Sequence, residues 1–189
     1  LPMFRRTMPD NTETDDLNRD LLRDAAEQVQ KQADGLPVYY TEWNGCATFG
    51  APGNDTRKVA AYDVRAALSA EDFIDGSSIW CFSDIFEELH PFPEEFHGGY
   101  GLVTQHGIAK PLFHALRLLG QAGDKRLELP GALDGEVSVA AFRDAADTQL
   151  TVLATKQNLH HFAGQSTPAT PVEIEAELDA KPQSVQLCR

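Results

Sequence analysis

The sequence predicts an α/β region followed by an all-β region in a chain of 189 residues. Two patterns predict this fold class. In the first part of the chain, amphipathic helical segments alternate with short apolar runs, which is typical of parallel βαβ units. In the last part, segments with period-two alternation are separated by turns, which is typical of an antiparallel sheet and favours a sandwich-like arrangement. We therefore expect two domains, residues 1–120 and residues 121–189.

The predicted elements of the first domain alternate along the chain: a helix over residues 17–33, a strand over 36–40, a helix over 56–69, a strand over 77–82 and a helix over 112–119. Apolar residues recur at helical spacing in each helix. Asp15 or Asp16 can cap the first helix, and Asp34 and Gly35 can end it. Because both strands are almost continuously apolar, we expect a parallel pair buried on both faces.

The second domain has three segments with strand patterning: residues 136–142, 149–155 and 172–178. Both ends of the chain read as interrupted, since Leu1 is not an initiator methionine and residues 186–189 resemble the start of another strand. We expect the sequence to belong to a longer gene product. Two parallel strands cannot close a sheet alone, so we also expect the isolated chain to aggregate or form a homo-oligomer.

The composition excludes several classes of protein. An apolar fraction of 42% and a charged fraction of 24% are ordinary for a globular protein and exclude collagen-like and fully disordered chains. A net charge of −13 disfavours nucleic-acid and membrane-surface partners, and no apolar run approaches the length of a bilayer span. Three widely spaced cysteines favour free thiols in a reducing compartment, so we expect a cytoplasmic protein.

Glu42 is the most informative polar residue, because it directly follows a predicted buried strand. The carboxyl ends of such strands are where α/β barrels collect catalytic side chains. A carboxylate there suits glycoside hydrolysis, with the ring of Trp43 to stack on a sugar and the amide of Asn44 to hold a hydroxyl. The alternative is a surface glutamate in an ordinary loop.

A second cluster of aromatic and acidic residues follows the other predicted strand. Trp80, Glu87 and Glu88 lie at or beyond its carboxyl end, where they can line one pocket with Glu42. Alternatively, Trp80 belongs to the core and the two glutamates form a solvated turn. His97 precedes two glycines and is a candidate for the rim of the pocket. We expect no metal site, because the adjacent His160 and His161 cannot both bind one ion from a regular strand.

Four strings carry a resemblance to glycoside hydrolase family 39, and within it to bacterial β-xylosidases more than to α-L-iduronidases. The strings are LPVYYTEWN at residues 36–44, SIWCFSDIFEE at 78–88, FHGGYGL at 96–102 and KPLFHA at 110–115. The resemblance runs from about residue 36 to the end of the chain, more loosely in the β-rich part. It implies the C-terminal part of a (β/α)8 TIM barrel followed by an accessory β-domain.

The resemblance also implies roles for individual residues. Glu42 is then the nucleophile at the end of the seventh barrel strand, and Trp80, Glu87 and Glu88 contact sugar hydroxyls. The reaction is a double displacement that releases terminal β-linked xylose from xylo-oligosaccharides with retention, and it needs no cofactor. The acid/base of the family lies in an Asn-Glu-Pro motif, which this sequence lacks. We therefore expect the isolated chain to be inactive.

Two other functions stay open from the sequence. The chain can be a non-catalytic carbohydrate-binding or assembly fragment, in which the β-rich part recognises sugar. It can also belong to a retaining β-glycosidase of another specificity, such as a β-glucosidase. The first alternative predicts sugar binding without residues 1–120, and the second predicts cleavage of glucosides by the intact protein.

Overall fold

A computed structural model describes residues 19–45, 49–85, 94–133, 136–156, 171, 173–175, 177 and 181–187. The helices and strands in these residues are α1 (Leu21–Gln32), β1 (Tyr39–Trp43), α2 (Arg57–Ala70), β2 (Gly76–Ile79), α3 (Pro111–Leu119), β3 (Lys125–Leu127), β4 (Val137–Arg143) and β5 (Leu150–Lys156). Short 3-10 helices, Pro52–Asp55 and Glu71–Phe73, flank α2. In the described part of the chain, no helix is long and apolar enough to cross a membrane.

The first half of the chain forms a parallel βαβ unit, as the sequence predicts. Strands β1 and β2 pair in parallel, with Tyr39 opposite Gly76 and Trp43 opposite Ile79, and α2 connects them. At their amino ends, the Asp75 carboxylate accepts the Val38 N–H at 2.7 Å. Because the strands run in the same direction, the segments that follow them emerge at one edge of the sheet.

Both strands differ from the prediction in position and in burial. Strand β1 begins at Tyr39 rather than residue 36, because Gly35 adopts a left-handed φ of 81° and Pro37 has no N–H to pair. Glu42 therefore lies within the strand and not after it. Tyr39 is 62% exposed, and Trp43 is the buried member of β1. The expectation of strands buried on both faces is wrong for the described residues, since helices cover one face.

Helix α2 lies at the centre of the molecule and contributes to two cores. Tyr62 and Ala66 pack with Trp43 of β1. Val64 and Leu68 pack with residues of the second sheet, including Phe142. The helix begins after Thr56, as predicted, and most of its residues are buried. Helix α1 begins later than predicted, at Leu21, and the predicted caps Asp15 and Asp16 lie outside the described residues.

The second half contains a three-stranded antiparallel sheet in the order β3–β4–β5. Strands β4 and β5 confirm the predictions over residues 136–142 and 149–155 to within one residue. Strand β3 is new. The prediction of a strand over residues 172–178 is wrong for residues 173–175 and 177, and no strand occurs in residues 181–187. The domain boundary and the sandwich-like arrangement stay predictions.

Candidate functional site

Glu42 is an exposed residue of β1. Its neighbour Trp43 is buried against Tyr62 and Ala66 of α2. Glu42 lines a cavity of about 380 Å³ with its neighbours on β1 and with Leu21 and Leu22 of α1. Asn44 and Tyr62 line the same cavity. The structure therefore brings together two of the predicted site residues, Glu42 and Asn44.

Trp80 joins the ends of the two strands. The backbone N–H of Trp80 donates to the Trp43 carbonyl at 2.8 Å, and the Trp80 backbone carbonyl accepts the Asn44 side-chain amide at 3.2 Å. The Trp80 side chain is 38% exposed, and Phe82 is 68% exposed. The interpretation of Trp80 as a core residue is therefore wrong, and two aromatic side chains are available beyond the carboxyl end of β2. Stacking on a sugar requires such exposed rings.

His97 lies in the loop after β2 and is nearly buried, with 7% of its side chain exposed. Its ring packs against Phe49, which follows β1, at a centroid distance of 5.6 Å. Its Nε2 lies 3.9 Å from the Asp84 carboxylate. His97 therefore joins the loops after the two strands, although it does not line the cavity beside Glu42. Its contact with a sugar stays a prediction.

The remaining predicted site residues, Glu87 and Glu88, lie outside the described residues, as do Cys46 and Cys188. The structure thus neither places the glutamates near Glu42 nor separates them from it. Among the residues that the structure describes, no group of three His, Cys, Asp or Glu side chains could hold a metal ion.

A buried ion cluster at this edge of the sheet escaped the sequence analysis. Lys110 lies 2.6 Å from the carboxylates of both Asp55 and Asp84. These three side chains are at most 8% exposed. Lys110 and Asp84 both fall within strings that resemble family 39. Nothing in the spacing shows that they meet, because the contact joins residues far apart in the chain.

Asp63 is a second charged residue that the sequence analysis missed. It lies on α2, is fully buried, and its Oδ1 would overlap a Cβ at Gly45. Burial raises the pKa of this carboxyl from its ordinary value to about 8, although the Gly45 N–H opposes the rise. Asp63 is thus an uncharged acid at neutral pH beneath the end of β1. Burial and the neighbouring Asp63 also raise the pKa of Tyr62.

Comparison with known families decides the relationship of this chain to known enzymes. The model of the family described as "Glycosyl hydrolases family 39" matches residues 8–180. The chain belongs to glycoside hydrolase family 39. The family 39 strings identified in the sequence analysis all lie within the matched range, and the resemblance to this family is confirmed.

Two β-xylosidases are similar to this family 39 chain in sequence. The protein from Geobacillus stearothermophilus is 40% identical over 111 residues, which are 59% of this chain and 21% of the relative. The protein from Caldicellulosiruptor saccharolyticus is 33% identical over 156 residues, which are 79% of this chain and 30% of the relative. The chain therefore spans less than a third of the length of either relative.

Solved structures give the same family relationship. A monomeric β-xylosidase from Caulobacter crescentus superposes with a TM-score of 0.60 at 30% identity, over 68% of this chain and 26% of that protein. The family 39 enzyme from Xanthomonas axonopodis pv. citri has a TM-score of 0.61 at 28% identity, over 71% of this chain and 26% of that protein. These neighbours imply a TIM-barrel family.

Proposed function

We propose that the polypeptide containing this chain is a retaining β-xylosidase with Glu42 as its nucleophile. The observation that carries the proposal is the exposed position of Glu42 on β1, where it lines one cavity with Trp43 and Asn44. The similarity to β-xylosidases supports the substrate class. In this proposal, β1 and β2 are the seventh and eighth strands of a (β/α)8 barrel.

The proposed reaction has two steps at the anomeric carbon. The ionised Glu42 carboxylate attacks this carbon while the bond to the leaving oxygen breaks, and a second carboxylic acid gives that oxygen its proton. The second residue, which is now a carboxylate, then takes a proton from the water that cleaves the xylosyl ester of Glu42. Attack on opposite faces in the two steps retains the β configuration.

The described residues around Glu42 supply sugar-binding chemistry. Trp80 offers an exposed aromatic face, and the Asn44 side chain is positioned by its hydrogen bond to the Trp80 carbonyl. Both groups lie at the ends of adjacent strands, so a ring stacked on Trp80 lies near the residues that follow β1. We propose that Glu87, Glu88 and His97 contribute to the same subsite.

The proton donor in this proposal comes from outside the chain, because the sequence contains no Asn-Glu-Pro motif. A general acid contributes typically about 10²–10⁴-fold to the rate. We therefore propose that the isolated 189-residue chain does not cleave xylosides measurably.

The test replaces Glu42 in the polypeptide as its natural host makes it. Loss of the nucleophile in Glu42→Gln lowers kcat for an aryl β-xyloside by at least about 10³-fold. In Glu42→Ala, added azide occupies the vacated space, restores turnover and yields the α-xylosyl azide. The matched control is Glu128→Gln, which changes an exposed glutamate beyond β3.

Three outcomes would contradict parts of this function. Near-normal turnover by Glu42→Gln refutes the nucleophile assignment. Faster cleavage of an aryl β-glucoside than of the xyloside by the unaltered protein changes the substrate class. Cleavage of neither, together with binding of xylo-oligosaccharide, favours the non-catalytic carbohydrate-binding alternative.

A further inference from the structure

Lys110 is buried where the segments that follow the two parallel strands meet. It directly precedes α3, and 1% of its side chain is exposed. Its ammonium group lies 2.6 Å from Asp55 Oδ1 and 2.6 Å from Asp84 Oδ2, and it donates to the Gly99 carbonyl at 3.1 Å. The ammonium charge thus lies between two carboxylates, and one of its N–H groups is used by the Gly99 carbonyl.

The three acceptors belong to three separate segments. Asp55 ends the 3-10 helix after β1, and Asp84 lies after β2. Gly99 lies in the loop of residues 97–101, which we call the His97 loop. A single buried charge therefore joins the connection after β1, the connection after β2 and the His97 loop. Contacts of this kind fix the relative positions of loops that carry binding residues.

The two carboxylates also bind the His97 loop directly. Asp55 Oδ2 accepts the Gly98 N–H at 2.5 Å, and Asp84 Oδ1 accepts the Gly101 N–H at 2.7 Å. The Asn54 side-chain amide adds a bond of 2.8 Å to the Gly98 carbonyl. The two carboxylates that contact Lys110 therefore also bind the His97 loop, Asp55 at Gly98 and Asp84 at Gly101.

The His97 ring has little room to move independently of this cluster. A Cβ at Gly99 would overlap the Asp84 carboxylate and lie 2.8 Å from the Cε1 of His97. The Phe49 ring packs on another part of the imidazole. Because these groups are in close contact, a shift of Asp84 moves the His97 ring as well.

We propose that Lys110 is a positioning residue for sugar binding, which fixes the His97 loop at the carboxyl ends of β1 and β2 through Asp55 and Asp84. It does not touch the substrate. This inference rests on the proposed function, because it takes the same edge of the sheet as the sugar site. In this proposal Lys110 determines the affinity for substrate, a role separate from that of the nucleophile on β1.

The experiment compares Lys110→Met with Lys125→Met in the polypeptide as its natural host makes it. Methionine keeps the length of the side chain and removes the charge. Lys125 is the matched control, since it lies exposed on β3 with Asp147 at 3.7 Å. We expect KM for an aryl β-xyloside to rise about tenfold or more in Lys110→Met, because misplaced binding groups weaken sugar binding. The change in kcat is smaller, because none of the contacts of Lys110 involves Glu42.

A second variant keeps the proposal testable if Lys110→Met does not fold. Asp55→Asn leaves the pair of Lys110 and Asp84 balanced in charge, and asparagine keeps the shape of the side chain. In asparagine one of the two oxygen positions, which contact Lys110 and the Gly98 N–H, becomes an NH2 group that cannot accept a hydrogen bond. We expect KM to rise in the same direction by a smaller factor. An unchanged KM in a folded variant of either kind overturns the proposal.

The NMR signals of the His97 ring separate this inference from the proposed function. Lys110→Met should shift these signals, whereas Lys125→Met should leave them in place. If the unaltered protein does not cleave xylosides but the His97 signals shift, the xylosidase assignment fails and the positioning of the loop stands. If the His97 signals do not shift in Lys110→Met, Lys110 does not position the loop, whatever the activity.

Discussion

The two sheets of this molecule differ in what covers them. The central strand of the antiparallel sheet, β4, buries Ala140 and Phe142 against α2 and α3, and its Ala141 is buried as well. The parallel strands β1 and β2 together bury one large side chain, Trp43. The candidate nucleophile and the exposed aromatic residues belong to the parallel strands and the segments after them. In the described residues, the buried core and the candidate chemistry therefore lie largely in different sheets.

This difference separates the buried core, which stabilises the fold, from the accessible side chains of the candidate site. Buried apolar side chains stabilise the fold, whereas a sugar site needs carboxylates and aromatic faces that a ligand can reach. Helix α2 connects the two sheets, since Tyr62 packs under β1 and Leu68 packs under β4. Substitutions in the two sheets should therefore differ in their effect on the free energy of unfolding.

The largest expected effect compares the same substitution in the two sheets. Phe142→Ala removes a side chain that is 5% exposed and should lower the free energy of unfolding by about 3–5 kcal/mol. Phe82→Ala removes one that is 68% exposed and should cost less than about 1 kcal/mol. Urea unfolding of the polypeptide as its natural host makes it, and of its two variants, measures both losses of unfolding free energy. Equal losses of unfolding free energy in the two variants would contradict this difference between the sheets.

A second effect depends on pH and concerns the helix between the sheets. Asp63 has its pKa raised from 3.8 to about 8 in the folded state, so the folded protein keeps a proton that the unfolded chain loses. Stability should therefore fall as pH rises from about 4 to about 8, the range between the pKa of the unfolded chain and that of the folded protein. Asp63→Asn should remove this fall in stability.

The control for Asp63 is Asp124→Asn, which changes an exposed aspartate before β3. Its stability should follow that of the unaltered chain at every pH. Thermal unfolding at several pH values measures all three proteins. If Asp63→Asn keeps the full pH dependence, then the buried carboxyl is not the group that titrates.

The sequence predicted those parts of the fold that depend on residues close together in the chain. Helical spacing predicted α2 and α3 closely, and the alternation of helix and strand predicted the parallel pairing. The start of β1 was wrong, because an apolar run does not show that the Asp75 carboxylate accepts the Val38 N–H. Strand β3 has three residues and depends on its pairing with β4.

The candidate site shows the same limit. Glu42 and Trp80 were identified because each follows or ends an apolar run, which is a local signal. The contacts of Lys110 with Asp55 and Asp84 join distant segments and exist only in the folded chain. Asp63 reads as an ordinary polar residue of an amphipathic helix. Its burial follows from the packing of α2 against both sheets, which no local pattern contains.

The smallest expected effect lies in the turn between β4 and β5. The Asp144 carboxylate accepts the Gln149 N–H, the Thr148 hydroxyl and the Thr148 N–H, each at 2.7 Å, and these bonds lower its pKa from the ordinary value of 3.8. A lowered pKa means that the stabilisation is present above about pH 4 and is lost as the pH falls below it. Asp144→Ala should therefore lower the melting temperature slightly at neutral pH and have no effect in strong acid. Faster amide exchange at Thr148 and Gln149, with the exchange in β1 unchanged, would locate the effect in the turn. An equal loss at both pH values would mean that Asp144 acts through packing and not through its charge.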